Sequence, residues 1–337
     1  MYSQLRIVIP NAACNLACKY CVIGNDQEHN HYNHTVVFQE GILKQAIDDD
    51  FTRISIWGGE PLANKEAFLQ IVQFCKKYYP NKLLGISTNG YLINQWWVDF
   101  FNENNIDITI SHDGPGQIYR QNYDMLLNED YISIINKIKP GLSFHSVIHH
   151  DNCNIESIVQ YFEKLQNKIS RPFGWHFGHF KASNPRLIKY IPHGYKLAQL
   201  QKSYRWLLQE ISNSRPLVIS AIGNMVVNLA QKYEQNTFSG FQCSAQRWLT
   251  LDTTGTRYFC QVACENKNPH WPENKIPRMC SNCSYLNICT GICPHIPDRY
   301  RKKLCIIYKL WFYEVDRFFA TQLVQERKKQ DALLISH

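Results

Sequence analysis

The 337-residue chain has no apolar run long enough to cross a bilayer, and nothing after Met1 resembles the basic, apolar and cleavage-site series of a secretory signal. A membrane-embedded or exported protein is thereby disfavoured, and with it a framework of disulfides; a cytoplasmic redox protein fits better. Internal repeats and low-complexity stretches are also missing. Basic residues exceed acidic ones for a formal charge of +8, yet no basic-aromatic motif of a nucleic-acid binder accompanies them. What the chain does have is cysteine, 13 residues, most of them in two spaced groups. Hydrophobic residues at 45% supply a sizeable core, and the length is too great for one small domain.

Cys14, Cys18 and Cys21 lie in Cys-Asn-Leu-Ala-Cys-Lys-Tyr-Cys, directly after the apolar run 5–10. Three thiolates at this spacing can hold three irons of a cubane cluster and leave the fourth without a protein ligand. A zinc knuckle or a disulfide loop competes for the same residues, although zinc favours four closed ligands and a disulfide needs an even partner. A second segment, Trp57-Gly58-Gly59-Glu60-Pro61, ends the β-rich stretch 53–57. Its glycines let backbone approach a ligand, and Glu60 can accept hydrogen bonds from an ammonium, though such a segment alone is more often a strand-ending turn. The runs 83–87 and 106–111 end in Ser87-Thr88-Asn89-Gly90 and Ser111-His112-Asp113-Gly114-Pro115, so polar groups at successive strand ends form one rim.

Together these segments resemble the radical S-adenosylmethionine (SAM) superfamily, whose Cys-x-x-x-Cys-x-aromatic-Cys motif is matched with Tyr20 as the aromatic residue. The resemblance implies a [4Fe-4S] cluster on Cys14, Cys18 and Cys21. It also implies SAM contacts from Tyr20, Gly58, Gly59, Glu60, Ser87, Asn89, Ser111 and Asp113. Arg120 is the nearest basic partner for the SAM carboxylate, at a shorter spacing from Ser111 than the family usually shows. In the family, SAM chelates the open iron and an electron from the cluster cleaves it to methionine and a 5′-deoxyadenosyl radical, which removes a substrate hydrogen.

In the C-terminal third, Cys243 is followed by eleven residues and Gly255, then four residues and Cys260; later come Cys280, two residues, Cys283, five, Cys289, three, Cys293, and finally Cys305. Zinc sites would explain Cys280 to Cys293 taken alone. With the N-terminal motif, the pattern resembles the SPASM extension of radical SAM enzymes, which implies two auxiliary four-iron clusters. By that resemblance Cys280, Cys283, Cys289 and Cys305 ligate one, and Cys243, Cys260 and Cys293 the other. Relatives carry a further cysteine shortly after the first of these; here Cys264 is the favoured fourth ligand, the alternative being an open iron. Three clusters with their thiolates would bring the formal +8 down to about +3. Cys75 and Cys153, in helix-like stretches, read as buried apolar thiols.

Strand-like runs at 6–10, 53–57, 83–87, 106–111, 142–149 and 173–180 alternate with helical spacing at 37–48, 65–79, 92–102, 131–137 and 155–166. Six β/α units imply an α/β fold with a parallel sheet and right-handed crossovers. The resemblance curves that sheet into a partial (β/α)6 TIM-like barrel. The expected division is a radical SAM domain at 1–235 and a SPASM domain at 236–337. Its amphipathic terminal helix, within 306–330, is expected to pack on the barrel. The first strand begins close to Met1, so no leader-peptide-binding domain is expected before it. The loop with His29, His31 and His34 reads as polar surface. His149, His150, His176 and His179 fall at or near strand ends, and His149 and His179 are the candidate proton acceptors.

The resemblance implies a peptide- or protein-modifying enzyme, served by an electron donor such as flavodoxin or ferredoxin. The nearest alternative is an anaerobic sulfatase-maturating enzyme that oxidises Ser or Cys to formylglycine; relatives of that type carry Asp after the cysteine matching Cys260, where this chain has Gln261. The same residues also admit oxidation of a small alcohol or sugar, modification of RNA, or simple electron carriage.

Overall fold

A computed structural model describes residues 3–9, 14–21, 36–47, 51–180, 185–235, 248–260, 278–286, 288–289, 296 and 298–335. Among them the strands are β1 (Gln4–Ile9), β2 (Arg53–Gly58), β3 (Leu83–Thr88), β4 (Ile106–Ser111), β5 (Leu142–Ile148), β6 (Gly174–His179), β7 (Trp248–Asp252) and β8 (Arg257–Tyr258). The helices are α1 (Glu40–Ala46), α2 (Lys65–Tyr78), α3 (Gln95–Asn104), α4 (Glu129–Ile135), α5 (Ile155–Gln166), α6 (Tyr195–Ser212), α7 (Pro216–Gln235) and α8 (Asp298–Ile335).

The strands form one sheet in the order β6-β5-β4-β3-β2-β1-β7-β8, with β6 and β8 at its edges, so the sheet does not close. Neighbours are parallel except β7 and β8, which pair antiparallel. The six expected β/α units are present. Beyond them, Trp248–Asp252 pairs with β1 in the same sheet, although it lies past residue 235 and was expected within the cysteine-rich module.

Strand side chains alternate between two faces. One face carries Leu5, Ile7, Ile54, Ile56, Ile86, Ile108, Ile110, Phe144 and Trp175, all buried under the helical layer. Each such side chain contributes on the order of 1.5–3 kcal/mol through burial. α2 answers with Phe68, Ile71, Val72 and Phe74, and α5 with Ile158, Val159 and Phe162, positions that recur at helical spacing. The other face is polar. Register pairing places Arg6 opposite Ser55 and Thr250, Ser55 opposite Gly85, Ser87 opposite Thr109, and Ser111 opposite His145. That polar face is the concave side on which the strand-end motifs converge.

Asparagines start several helices: the side chains of Asn94, Asn128 and Asn154 accept from backbone N–H groups in the first turns of α3, α4 and α5. As expected, α8 packs on the barrel rather than standing free. Arg205 on α6 makes a bidentate pair with the buried Glu314 at 2.9 and 3.1 Å, Gln201 donates to the same carboxylate at 2.7 Å, and Trp311 meets Tyr204. No helix among the described residues is long and apolar enough to cross a membrane.

Candidate functional site

The segment 14–21 follows β1 and is pinned to the ends of β3 and β4 by side chains from its own motif. Tyr20 is buried and its hydroxyl donates to the Asp113 carboxylate. Asp113 also receives Arg120 Nε at 3.0 Å, Arg120 Nη2 at 3.2 Å and the Val147 N–H at 2.8 Å. Burial alone would raise the Asp113 pKa, but the Arg120 guanidinium and these donors hold it below the usual carboxylate range. Backbone bonds from Lys19 N to Tyr119 O and from Cys21 N to Cys18 O, 3.1 and 3.0 Å, complete the loop's attachment. Two expected SAM contacts, Asp113 and Arg120, are thus joined to each other and to a third, Tyr20.

Asn89, at the end of β3, donates through Nδ2 to Asn15 Oδ1 at 2.7 Å, and the same nitrogen stands 3.9 Å from Cys14 Sγ. Cys14, Cys18 and Cys21 are all half-buried and lie within electrostatic reach of one another. Burial chiefly, with the neighbouring acid and thiols, pushes Cys14 up to about 12; burial likewise pushes Cys18 up to about 11. Among the described residues no three His, Cys, Asp or Glu side chains converge into a ready-made metal site.

Glu60 is fully buried. Its Oε1 accepts from Leu62 N at 3.0 Å and Thr88 Oγ1 at 2.7 Å, and its Oε2 from Asn89 N at 2.6 Å. The carboxylate therefore ties the end of β2 to the end of β3. Despite these donors, burial pushes its pKa up to about 7. Gly58 adopts φ +155°, and a Cβ there would stand 2.4 Å from the Ile9 carbonyl oxygen, so β1 and β2 can end this close together only with glycine. Gly59 follows it. Ser87 and Ser111 both face the concave side, where Trp57 also lies with the Arg6 guanidinium 4.5 Å above its ring; Trp248 receives the same cation at 3.4 Å.

The histidines divide in a way the sequence expectation did not separate. His179 faces the helical layer: its Nε2 hydrogen-bonds the Tyr204 hydroxyl on α6, and its ring meets Tyr308 of α8. His149 is buried against Tyr20, ring centres 4.3 Å apart, with Tyr119 and Tyr190 edge-on, and burial pushes its pKa down to about 4. Its Nε2 is buried without a hydrogen-bond partner. His150 stacks on His193. His145, not singled out from the sequence, instead pairs with His176 on the concave side. Period-two alternation on β6, with apolar Trp175 and Phe177 on the opposite face, carried that signal.

Of the expected auxiliary-cluster ligands, Cys280, Cys283 and Cys305 lie within electrostatic reach of one another, and Cys289 stands in the same segment, its N–H bonded to Tyr285 O. Cys260 is buried against Val8, Tyr258 and Phe259. Cys243, Cys264 and Cys293 lie outside the described residues, as do His29, His31 and His34. Cys75 and Cys153 are buried, as expected.

Residues 8–163 match the model of the Radical SAM superfamily. A cysteine-type anaerobic sulfatase-maturating enzyme of Clostridium novyi is 29% identical over 185 residues, 49% of this chain and 49% of that protein. A serine-type anaerobic sulfatase-maturating enzyme of Bacteroides thetaiotaomicron is 25% identical over 344 residues, 84% of this chain and 80% of that one. The first of these alignments spans about half the length of the relative. Among solved structures, native anSMEcpe with bound AdoMet superposes with a TM-score of 0.70 at 18% identity, covering 94% of this chain and 98% of that one. The same protein with AdoMet and the Cp18Cys peptide gives 0.65 at 17% identity, over 93% and 98%. These last two likenesses establish the fold. The matched stretch contains the cysteine loop, the Gly-Gly-Glu-Pro turn and the polar strand ends described above, and over it the chain is similar to the Radical SAM superfamily.

Proposed function

We propose that this chain is a radical SAM enzyme that modifies a peptide or protein, using a 5′-deoxyadenosyl radical to remove a substrate hydrogen. The observation that carries this reading is the tie between the cysteine loop and the strand ends: Tyr20, Asp113, Arg120 and Asn89 link the loop directly to the ends of β3 and β4. A radical SAM domain works with a [4Fe-4S] cluster and AdoMet. The donor set fits: three half-buried thiols on one short loop suit three irons and leave a fourth for AdoMet. When bound, the cluster and AdoMet supply the electron and the radical.

The protein's own residues hold and aim. Cys14, Cys18 and Cys21 would bind the irons. Asn89 fixes the loop through Asn15, and Glu60 fixes the Asn89 backbone, so the AdoMet-binding turn and the cluster loop share one hydrogen-bond chain. Ser87 and Ser111 offer hydroxyls on the concave rim. Arg120, paired with Asp113 beside Tyr20, sets a fixed positive charge near Cys18. Such preorganisation keeps reacting groups aligned without reorganisation at the moment of reaction.

We extend the reading to three clusters. Two would sit in a C-terminal SPASM module from residue 236 on, with Cys264 completing the set of Cys243, Cys260 and Cys293, and an electron donor of the flavodoxin or ferredoxin class would serve them. No disulfide joins the ten described cysteines, and a reducing, cytoplasmic setting would suit them.

A second reading, maturation of a sulfatase cysteine or serine to formylglycine, is favoured by the two curated relatives and opposed by Gln261 in place of Asp. The test is anaerobic incubation with AdoMet, dithionite and synthetic cysteine or serine peptides, followed by mass spectrometry. An aldehyde product would select the second reading and a cross-link or thioether the broader one. Reaction only with a sugar or small alcohol would overturn both.

A further inference from the structure

We propose that His176 is the group that takes the substrate's proton, with His145 beside it as the positioning residue. This rests on the peptide-modifying reading and names a part of that site. Four observations converge on it. His145 and His176 are register partners on β5 and β6, their ring centres 4.9 Å apart, both on the concave face. His145 is also the register partner of Ser111, the strand-end serine expected to contact AdoMet, so His176 lies one strand farther out on the same face. Gly178 leaves the space that His145 occupies; a Cβ there would stand 3.2 Å from Nε2 of His145. Finally, neither imidazole makes a hydrogen bond to any described residue, and His176 is exposed.

Other acid-base candidates on that side are committed elsewhere. Asp107 pairs with Arg53 at 3.0 Å and accepts from Gly141 N. Asp252 accepts from Thr254, Thr256 and Tyr258. Asp113 is taken by Arg120, Tyr20 and Val147 N. His179 lies on the other face, bonded to Tyr204, and His149 accepts from Asp151 N through Nδ1, so its buried Nε2 carries the hydrogen and cannot take a proton. Burial pushes the His145 pKa down to about 3, with His176 and the nearby arginines adding to it, and burial also lowers His176. Both rings are therefore neutral, each with one unprotonated nitrogen.

For a cysteine substrate the step balances as follows. With AdoMet and the cluster bound, the hydrogen atom on the carbon next to sulfur would leave to the 5′-deoxyadenosyl radical they supply, and the thiol proton would pass to an imidazole nitrogen of His176. The one electron left over goes to an acceptor of the iron–sulfur class, and a carbon–sulfur double bond forms. A serine substrate follows the same balance with oxygen.

The test uses reconstituted full-length protein, AdoMet and a synthetic peptide with one cysteine. Histidine carbethoxylation read by mass spectrometry should label His176 in the free enzyme, and AdoMet plus peptide should protect it at least fivefold. In His176→Gln the ratio of modified peptide to 5′-deoxyadenosine should fall at least tenfold; His145→Gln should lower it less. An unprotected His176, or a coupling ratio in His176→Gln equal to wild type, would overturn the assignment. The footprint needs no variant, so a misfolded His176→Gln does not remove the test. Wild-type protein that cleaves AdoMet but modifies neither cysteine nor serine peptides would sink the functional reading instead.

Discussion

Asp113 and Arg120 form a buried two-pronged ion pair directly under the cysteine loop, and the Tyr20 hydroxyl donates to the same carboxylate. Removing one member of such a pair leaves an uncompensated buried charge and costs about 3–5 kcal/mol. Arg120→Leu should therefore lower the denaturant midpoint markedly and release Tyr20. Lys168→Gln, at the exposed pair with Glu129, should cost no more than about 1 kcal/mol. Equal effects in chemical denaturation would contradict the structural role given to the buried pair.

Glu60 provides a pH test. Its carboxyl is pushed up to about 7 against an ordinary value of 4.5, so the fold favours the protonated form. A raised folded pKa means that this group's stabilisation is present below the unfolded value and lost as pH rises through the folded one. Stability of the protein should decline between pH ~4.5 and ~7 by up to about 3 kcal/mol from this group. Glu60→Gln should flatten that decline. It should also lower stability at acidic pH, because an amide NH₂ would face the N–H of Asn89 or the donors at Oε1. A variant with the wild-type pH slope would remove Glu60 as the cause.

Much of this was legible from residue order. Strands β2, β3 and β4 fall within a residue or so of the runs read from the sequence, because each is a short apolar run bounded by turn residues. The Cys14 to Cys21 motif and the polar strand ends do meet. Strand β7 was hidden, since its parallel partner β1 lies some 240 residues earlier and nothing local to Trp248–Asp252 announces a long-range pairing. The histidines were misread for a different reason. His176 and His179 are three positions apart, so on a strand they cannot share a face, and only His176 reaches the concave side. Likewise, the commitment of Glu60 to three donors depends on two strand ends meeting, which composition cannot reveal.

Iron content separates the cysteines. Anaerobically reconstituted protein should hold about twelve irons if all three sites carry four-iron clusters. Cys264→Ala should lose or spectroscopically alter one auxiliary cluster, whereas Cys75→Ala, at a thiol buried in the α2 core, should leave iron unchanged. Normal iron and paramagnetic resonance in Cys264→Ala would favour an open iron in that cluster.

The most direct measurement of the central claim is release of 5′-deoxyadenosine from AdoMet under dithionite, without peptide, by wild-type protein and by the variant with Cys14, Cys18 and Cys21 all changed to Ala. The wild type should release it slowly, while the triple variant should release none and carry roughly a third less iron. Equal release by both proteins, or stoichiometric zinc in place of iron in the wild type, would contradict a radical SAM site at this loop.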